Sequence, residues 1–273
     1  MESWFEIGFI LGAVQGLTEF LPVSSTGHLI IVGDLLGFVG PKASTFEVAI
    51  QLGSILAVVV LYWRRFMGLL FPARFTAPAA GPRPFAGLRG IGLLFLTTLP
   101  PSILGLLLHA HIKALFTPAS VAAALTVGAL LMLLVEHRCK KHPAVLFTLD
   151  EMTPKLALGI GCCQCLALWP GFSRSASTIM GGMLLGAKRG LAAEYSFIAA
   201  VPLMVAATGY DLLKTWTLFS SADLPLFATG MVFSFLFAFA AIKTFIALVG
   251  RLTLRPFAYY RLALAPLVYL FLS

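Results

Sequence analysis

Residues 15–28 read QGLTEFLPVSSTGH, Gln15 to His28. Here an apolar region of about 4–37 is broken by a glutamate, a proline, three consecutive hydroxyl residues and a glycine. A second apolar region, 156–187, is broken in the same manner by WPGFSRSAST at 169–178. Gln15 precedes Pro22 by seven residues and Gln164 precedes Pro170 by six; Pro22 and Pro170 each stand three residues before a serine, Ser25 and Ser173. A glutamate follows each break, Glu47 and Glu194. A spanning helix needs about 20 mostly apolar residues, and six segments qualify as candidates, at roughly 46–63, 90–108, 118–136, 191–213, 225–249 and 257–272. Matched breaks, each followed by three spans, predict two repeats, about 1–136 and 155–273, within a single membrane domain.

Composition points the same way. Of 273 residues, 59% are hydrophobic and 11% charged, against about 25% charged in soluble domains. The mean hydropathy is +0.96. These values exclude a soluble globular protein, a disordered chain and a nucleic-acid-binding domain. The net charge of +8 is read as basic residues gathered in cytoplasmic loops. Cys139, Cys162, Cys163 and Cys165 are read as small core residues rather than a disulfide or zinc framework. Glu2 and Glu6 stand where a cleavable signal peptide would need positive charge, so none is expected.

The charges set the topology. Loop 64–89 holds Arg64, Arg65, Arg74, Arg83 and Arg89 and no acid, so it is expected inside; loop 109–117, with only Lys113, is expected outside. Arg138, Lys140, Lys141 and Lys155 return inside. If region 156–187 enters and leaves by one face, Lys188, Arg189, Arg251 and Arg255 also fall inside, and every basic cluster shares one side. Complete spans at both breaks would split them. The expected fold is therefore all-α: six spanning helices plus two re-entrant hairpins, 4–37 and 156–187, in an inverted-topology repeat. Two broken hairpins meeting from opposite faces bring helix N-termini to mid-membrane, where free N–H groups and positive dipole ends suit an anion.

The first break sets the carboxylate of Glu19 six residues before Ser25, and His28 three after it. Gly27 permits close backbone approach or positive φ. The second break adds Ser173, Arg174, Ser175, Ser177 and Thr178. Hydroxyl and backbone donors beside an arginine fork suit phosphate; a nucleophile, a base and often a metal are what phosphoryl transfer adds. Structural readings stand beside these. Arg174 can pair with Glu19 or Glu194 to hold the hairpins, His28 can be a hydrogen-bonded structural residue, and Ser24, Thr26 and Thr178 can cap helix ends. Glu47 and Glu194 read at least as well as structural residues, and Asp34, Lys243 and Arg261 as interfacial or snorkelling charges.

QGLTEFLPVSSTGH and PGFSRSAST, in this order and separation, together with FEVAIQLGSILAVVV at 46–60, resemble the bacterial undecaprenyl-diphosphate phosphatases, the bacitracin-resistance family. The resemblance covers essentially the whole chain. It implies hydrolysis of undecaprenyl diphosphate to the monophosphate lipid carrier of cell-wall precursors. It implies a site in the two re-entrant regions facing the outer side of the bacterial inner membrane, with a divalent metal, Mg2+ or Ca2+. It implies Ser25 as nucleophile or phosphate-contacting hydroxyl, Glu19 as metal ligand or base, His28 as acid/base partner and Arg174 as phosphate clamp. Ser24, Thr26, Gly27, Ser173, Ser175 and Thr178 would bind substrate, and Gln15, glutamate in some relatives, would be a weaker metal ligand. The usual SRSG reads SRSA here, with Ala176 in the glycine position.

The other large class of lipid phosphatases has a histidine where this chain has Met180, so that reading fails. The alternative from another class is a transporter or flippase of a prenyl phosphate lipid or small anion, because broken inverted repeats are a transporter design. Partners expected are undecaprenyl diphosphate and membrane lipid, with no nucleic acid. Small-residue segments such as VAAALTVGALL (121–131) suit either a homodimer or packing within the chain.

Overall fold

The computed structural model describes residues 4–75, 84–215, 217, 220–249 and 253–272. Glu2, Arg83 and Arg251 lie outside the described residues. The described chain is helical; its β-type pairing is an isolated bridge between Leu146 and Ala187. The first break region forms α1 (Trp4–Thr18) and α2 (Ser25–Leu35), and α3 (Pro41–Leu61) follows. Two short helices, α4 (Trp63–Leu70) and α5 (Pro72–Phe75), precede α6 (Gly87–Leu107), α7 (His109–Ala114) and α8 (Pro118–Lys141). The second break region forms α9 (Pro154–Gln164), a 3-10 turn (Cys165–Leu168) and α10 (Arg174–Leu184). Then come α11 (Arg189–Thr215), α12 (Leu224–Val249) and α13 (Arg255–Leu272). Starts follow local chemistry. Pro41, Pro118 and Pro154 open their helices, where a missing N–H costs nothing, and Thr117 and Thr153 cap two of them by accepting from Ser120 and Leu156 N–H.

Among the described residues, five helices are long and apolar enough to cross a membrane: α3, α6, α8, α11 and α12 with its leading turn. They carry five of the six expected spans. The sixth segment, 257–272, lies in α13, which has 18 residues but is not among the five. Arg255, Arg261 and three tyrosines lower its hydropathy.

Packing is between helices that bring small residues together. α1 lies on α12 and α9 on α6; α3 also packs on α12, α11 on α6, and α8 on α13. A Cβ placed on Gly12 would fall 2.5 Å from Gly230 O, one on Gly16 2.5 Å from Ser234 O, and one on Gly161 2.7 Å from Thr97 O. Such close backbone approach gives dispersion contact where water cannot drive association. Hydroxyls lock the same seams: Ser54 and Ser234 share a hydrogen bond at 2.7 Å, and Thr97 donates to Ala157 O at 2.9 Å.

The basic loops gather at one end of the bundle. Arg89 donates to the carbonyls of Asp150 and Met152, and Lys188 N–H donates to Leu146 O. Buried Glu136 accepts from Arg189 at 2.9 Å and from Leu254 N–H at 2.7 Å. Arg65 faces Glu194 at 3.5 Å. The opposite end holds Lys42, paired with Asp223 at 2.5 Å and 5.6 Å from the Trp4 ring centroid.

Two sequence readings are corrected here. The cysteines are free but not core residues: Cys162 is exposed and Cys139, Cys163 and Cys165 are half-buried. Cys162 and Cys163 belong to a helix whose inner face is taken by Leu156, Ala157, Ile160 and Gly161. Arg261 does not snorkel. It is fully buried in the α8–α13 seam, where Gly128 leaves room for its guanidinium. Asp34 and Lys243 are exposed.

Candidate active site

The turn between α1 and α2 and the turn between α10 and its preceding 3-10 segment meet inside the bundle. Both end on a serine in the left-handed region, Ser24 (φ 73) and Ser173 (φ 77), the non-glycine residues with positive φ among those described. Each is an N-cap: Ser24 Oγ accepts from Gly27 N–H and Ser173 Oγ from Ala176 N–H. Left-handed backbone costs a residue with a Cβ about 1–3 kcal/mol and persists only where surroundings enforce it. The sequence allowed positive φ or close backbone approach at Gly27; the positive φ of this turn falls on Ser24. Gly27 is within α2, where a Cβ would lie 3.4 Å from Leu125 Cδ1.

Glu19 is the centre of the cluster, buried to 8% exposure. Ser25, the first residue of α2, donates its hydroxyl to Glu19 Oε2 at 2.7 Å. Gln15, one helical turn before Glu19, donates Nε2 to the same oxygen at 3.0 Å. Arg174, the first residue of α10, reaches Glu19 Oε1 at 3.1 Å. A carboxylate can only accept, so the Gln15 amide must turn its nitrogen toward Glu19. Its Oε1 is then left buried without a partner, as is Arg174 Nε. The rest of the arginine is held by Ser196 O and Oγ at 3.3 and 3.4 Å, and its guanidinium stands 5.3 Å from the Phe20 ring centroid.

The second break touches the first again through Ser175, which donates to Leu21 O at 2.8 Å. Ser173 and Ser175 share a hydroxyl contact at 3.1 Å. Thr178 bonds Ser196 Oγ at 2.6 Å and Arg174 O at 2.9 Å, so it holds the arginine from behind. Ser177 donates to Arg174 O. Thr26, half-buried, is the second residue of α2. Ala176 faces the apolar core, fully buried.

His28 faces elsewhere. Its Nδ1 lies 2.7 Å from Ser24 O and its Nε2 2.7 Å from the Tyr260 hydroxyl. A carbonyl only accepts, so Nδ1 carries a proton, and Nε2 shares a hydrogen bond with the Tyr260 hydroxyl. Glu19, not His28, therefore holds the Ser25 proton donor. Glu194 pairs with Arg65, and Glu47 approaches Gly33 on the loop side of α2; neither joins the cluster. Ser196 and Tyr260 escaped sequence reading because each lies in a helix outside the two breaks, with no motif around it; Tyr260 is 232 residues from His28.

Among the described residues no three His, Cys, Asp or Glu side chains converge as a metal cluster. Mg2+ is commonly held by only one or two carboxylates plus substrate phosphate. The orphaned oxygen of Gln15 beside Glu19 is a hard donor of that kind, so the residues present fit such an ion.

A buried carboxylate met by a serine and an arginine that open two helices, in a bundle with five membrane-length helices among the described residues, defines a multi-pass membrane protein with a polar cluster inside it. Residues 8–267 match the family model of the bacitracin resistance protein BacA, and the chain belongs to that family. It is 73% identical over 265 residues to the undecaprenyl-diphosphatase of Nitratidesulfovibrio vulgaris (strain DP4), covering 97% of each chain. Similar proteins of that name occur in Maridesulfovibrio salexigens, 69% identical over 265 residues covering 97% of each chain, and Lawsonia intracellularis, 66% over 270 covering 99% of each.

Proposed function

We propose that this chain is a membrane-embedded undecaprenyl-diphosphate phosphatase, releasing inorganic phosphate to regenerate the lipid carrier of cell-wall synthesis, the activity by which the family confers bacitracin resistance. One observation carries the mechanism: the Ser25 hydroxyl donates to Glu19 Oε2 while Arg174 holds Oε1. Glu19 takes the Ser25 proton as Oγ bonds to the terminal phosphorus. The bridging P–O bond breaks and undecaprenyl phosphate leaves with that proton; water then attacks the phosphoserine, Glu19 takes the water's proton and returns it to Ser25 Oγ as the Oγ–P bond breaks and inorganic phosphate departs. Arg174, with its unpartnered Nε, clamps the diphosphate. The N-termini of α2 and α10, the latter reinforced by Ser173 and Ser175, supply donors toward developing charge. A divalent ion, Mg2+ or Ca2+, would be held by Glu19 and Gln15 Oε1 and would supply charge neutralisation at the phosphate oxygens.

The architecture read with this function is an inverted repeat of two re-entrant hairpins. Its support is the packing described above: α1 on α12 answers to α9 on α6, and α3 on α12 to α11 on α6. Trp4 and Lys42 bring both ends of the first hairpin to one end of the bundle, and Leu146, Ala187 and Lys188 bring those of the second to the other. With α13 as sixth span, the basic end is cytoplasmic and the site opens to the outer face of the inner membrane.

The test is phosphate release from undecaprenyl diphosphate by purified protein in detergent, with and without chelator. Release that needs divalent ion and Glu19 is the expected result; none from folded wild type overturns the reading. Acid quench should trap phosphate on Ser25. Turnover without it would favour direct attack by water. Repeats of this kind are also a transporter layout; translocation of labelled lipid by a Ser25→Ala protein that does not hydrolyse it would favour transport.

A further inference from the structure

Two neighbours on α13, Tyr260 and Arg261, have no part in the chemistry above, yet each grips one break. Arg261 is fully buried, and no carboxylate pairs with it among the described residues. An unpaired buried guanidinium is costly and is retained only where its hydrogen bonds do something. Its NH2 group donates to Ala124 O at 3.1 Å and to Gly171 O at 3.2 Å, and its plane stands 5.9 Å from the Phe172 ring centroid. α8 makes room for it: a Cβ on Gly128 would collide with the guanidinium.

Gly171 has φ +92, and a Cβ there would lie 2.7 Å from Val121 O. Ser173 follows at φ 77 and Arg174 opens α10. Two left-handed residues in three make a turn that its surroundings must enforce. The Gly171 carbonyl is the point where Arg261 enforces it, joined by the Trp169 Nε1 bond to Ser120 at 2.9 Å.

Tyr260 turns to the other break. Its hydroxyl shares a hydrogen bond with His28 Nε2 at 2.7 Å, with the rings stacked at 7° and centroids 5.6 Å apart. His28 Nδ1 in turn holds Ser24 O, the carbonyl of the strained cap before Ser25. Adjacent helical residues project about 100° apart, so one helix reaches both turns.

We propose that the Tyr260–Arg261 step of α13 is a brace that keeps the two breaks in register, both residues being positioning residues: Tyr260 acts through His28 on the Ser25 turn, and Arg261 through Gly171 on the turn that aims Arg174. The activity readout rests on the phosphatase reading; the spectroscopic one does not.

The experiment compares wild type, Tyr260→Phe, Arg261→Met and Arg261→Lys in detergent. It measures kcat and KM on undecaprenyl diphosphate, thermal midpoint, and side-chain 15N resonances of the histidines. Tyr260→Phe should shift the His28 Nε2 resonance and lower kcat/KM about tenfold, the scale of one lost hydrogen bond. Unchanged His28 resonances overturn the Tyr260 arm. Arg261→Met should lower kcat/KM about 100-fold in folded protein, as expected for a misplaced clamp, and should cost less in an Arg174→Lys background. A lower thermal midpoint with wild-type kcat/KM, or costs that multiply independently of Arg174, overturns the Arg261 arm. Where Arg261→Met does not fold, Arg261→Lys decides: an ammonium cannot span both carbonyls, so kcat/KM should still fall, and a wild-type value overturns the arm. Wild type that releases no phosphate defeats the phosphatase reading alone, since the His28 resonances still test the brace.

Discussion

At the residue scale, the proposed functional centre is a competition for one carboxylate. Glu19 accepts from Ser25, Gln15 and Arg174 at once, so its charge is spread over donors that substrate can displace. Glu19→Gln keeps the shape and removes the base. It should lower kcat by about 10³, within the span of general-base losses, read as phosphate release by protein with an unchanged thermal midpoint. Gln15→Glu puts a second carboxylate beside Glu19 and should reduce the Mg2+ concentration for half-maximal release, measured by titration after chelation. An unchanged or higher requirement would count against metal at this oxygen. Away from the bilayer, Glu151 accepts N–H bonds from Phe147 at 2.6 Å and Thr148 at 2.8 Å, which hold its carboxyl below the ordinary value. A lowered folded value contributes stability above the unfolded value, lost as pH falls through the folded one. Glu151→Gln should therefore flatten the acid side of the thermal midpoint against pH.

At the scale of elements, helix seams depend on residues with no side chain to spare. A Cβ on Gly230 would fall 2.6 Å from both Ile50 Cγ2 and Phe46 Cζ, and its own carbonyl faces Gly12. Gly230→Leu should lower the thermal midpoint in detergent by an overpacking cost of about 1–3 kcal/mol and loosen α1 and α3 from α12 together. Gly92, with nothing near its Cβ position, should accept alanine at no cost; equal losses at both sites would sink this account of the seam. The paired breaks follow the same logic at their caps. Ser24 and Ser173 pay for left-handed backbone with an N-cap bond each, and that is what leaves Ser25 and Arg174 as the first residues of two facing helices.

For the whole molecule, the side-by-side placement of the basic loops predicts their sidedness. A single cysteine in place of Lys113 should react with an impermeant reagent from outside intact cells. One in place of Lys140 should react only after permeabilisation, both in protein lacking its native cysteines. Identical accessibility would defeat the topology. Five of the six spans, the breaks, the polar motif and the gathering of the basic loops were legible in the chain because each is local: hydropathy, proline, glycine and charge count act within a few residues. The clustering of Glu19, Ser25 and Arg174 could be expected only as a consequence of two breaks meeting. The turning of His28 toward Tyr260, the burial of Arg261 and the support of Arg174 by Ser196 came from tertiary structure alone, and the structure also decided that Glu19 meets Ser25 directly rather than through His28. His28 and Tyr260 are 232 residues apart, and nothing local distinguishes a tyrosine or arginine that faces lipid from one that faces a turn. In an apolar solvent, each polar group takes the partner that the packed helices bring within reach, and only the complete bundle decides which one that is.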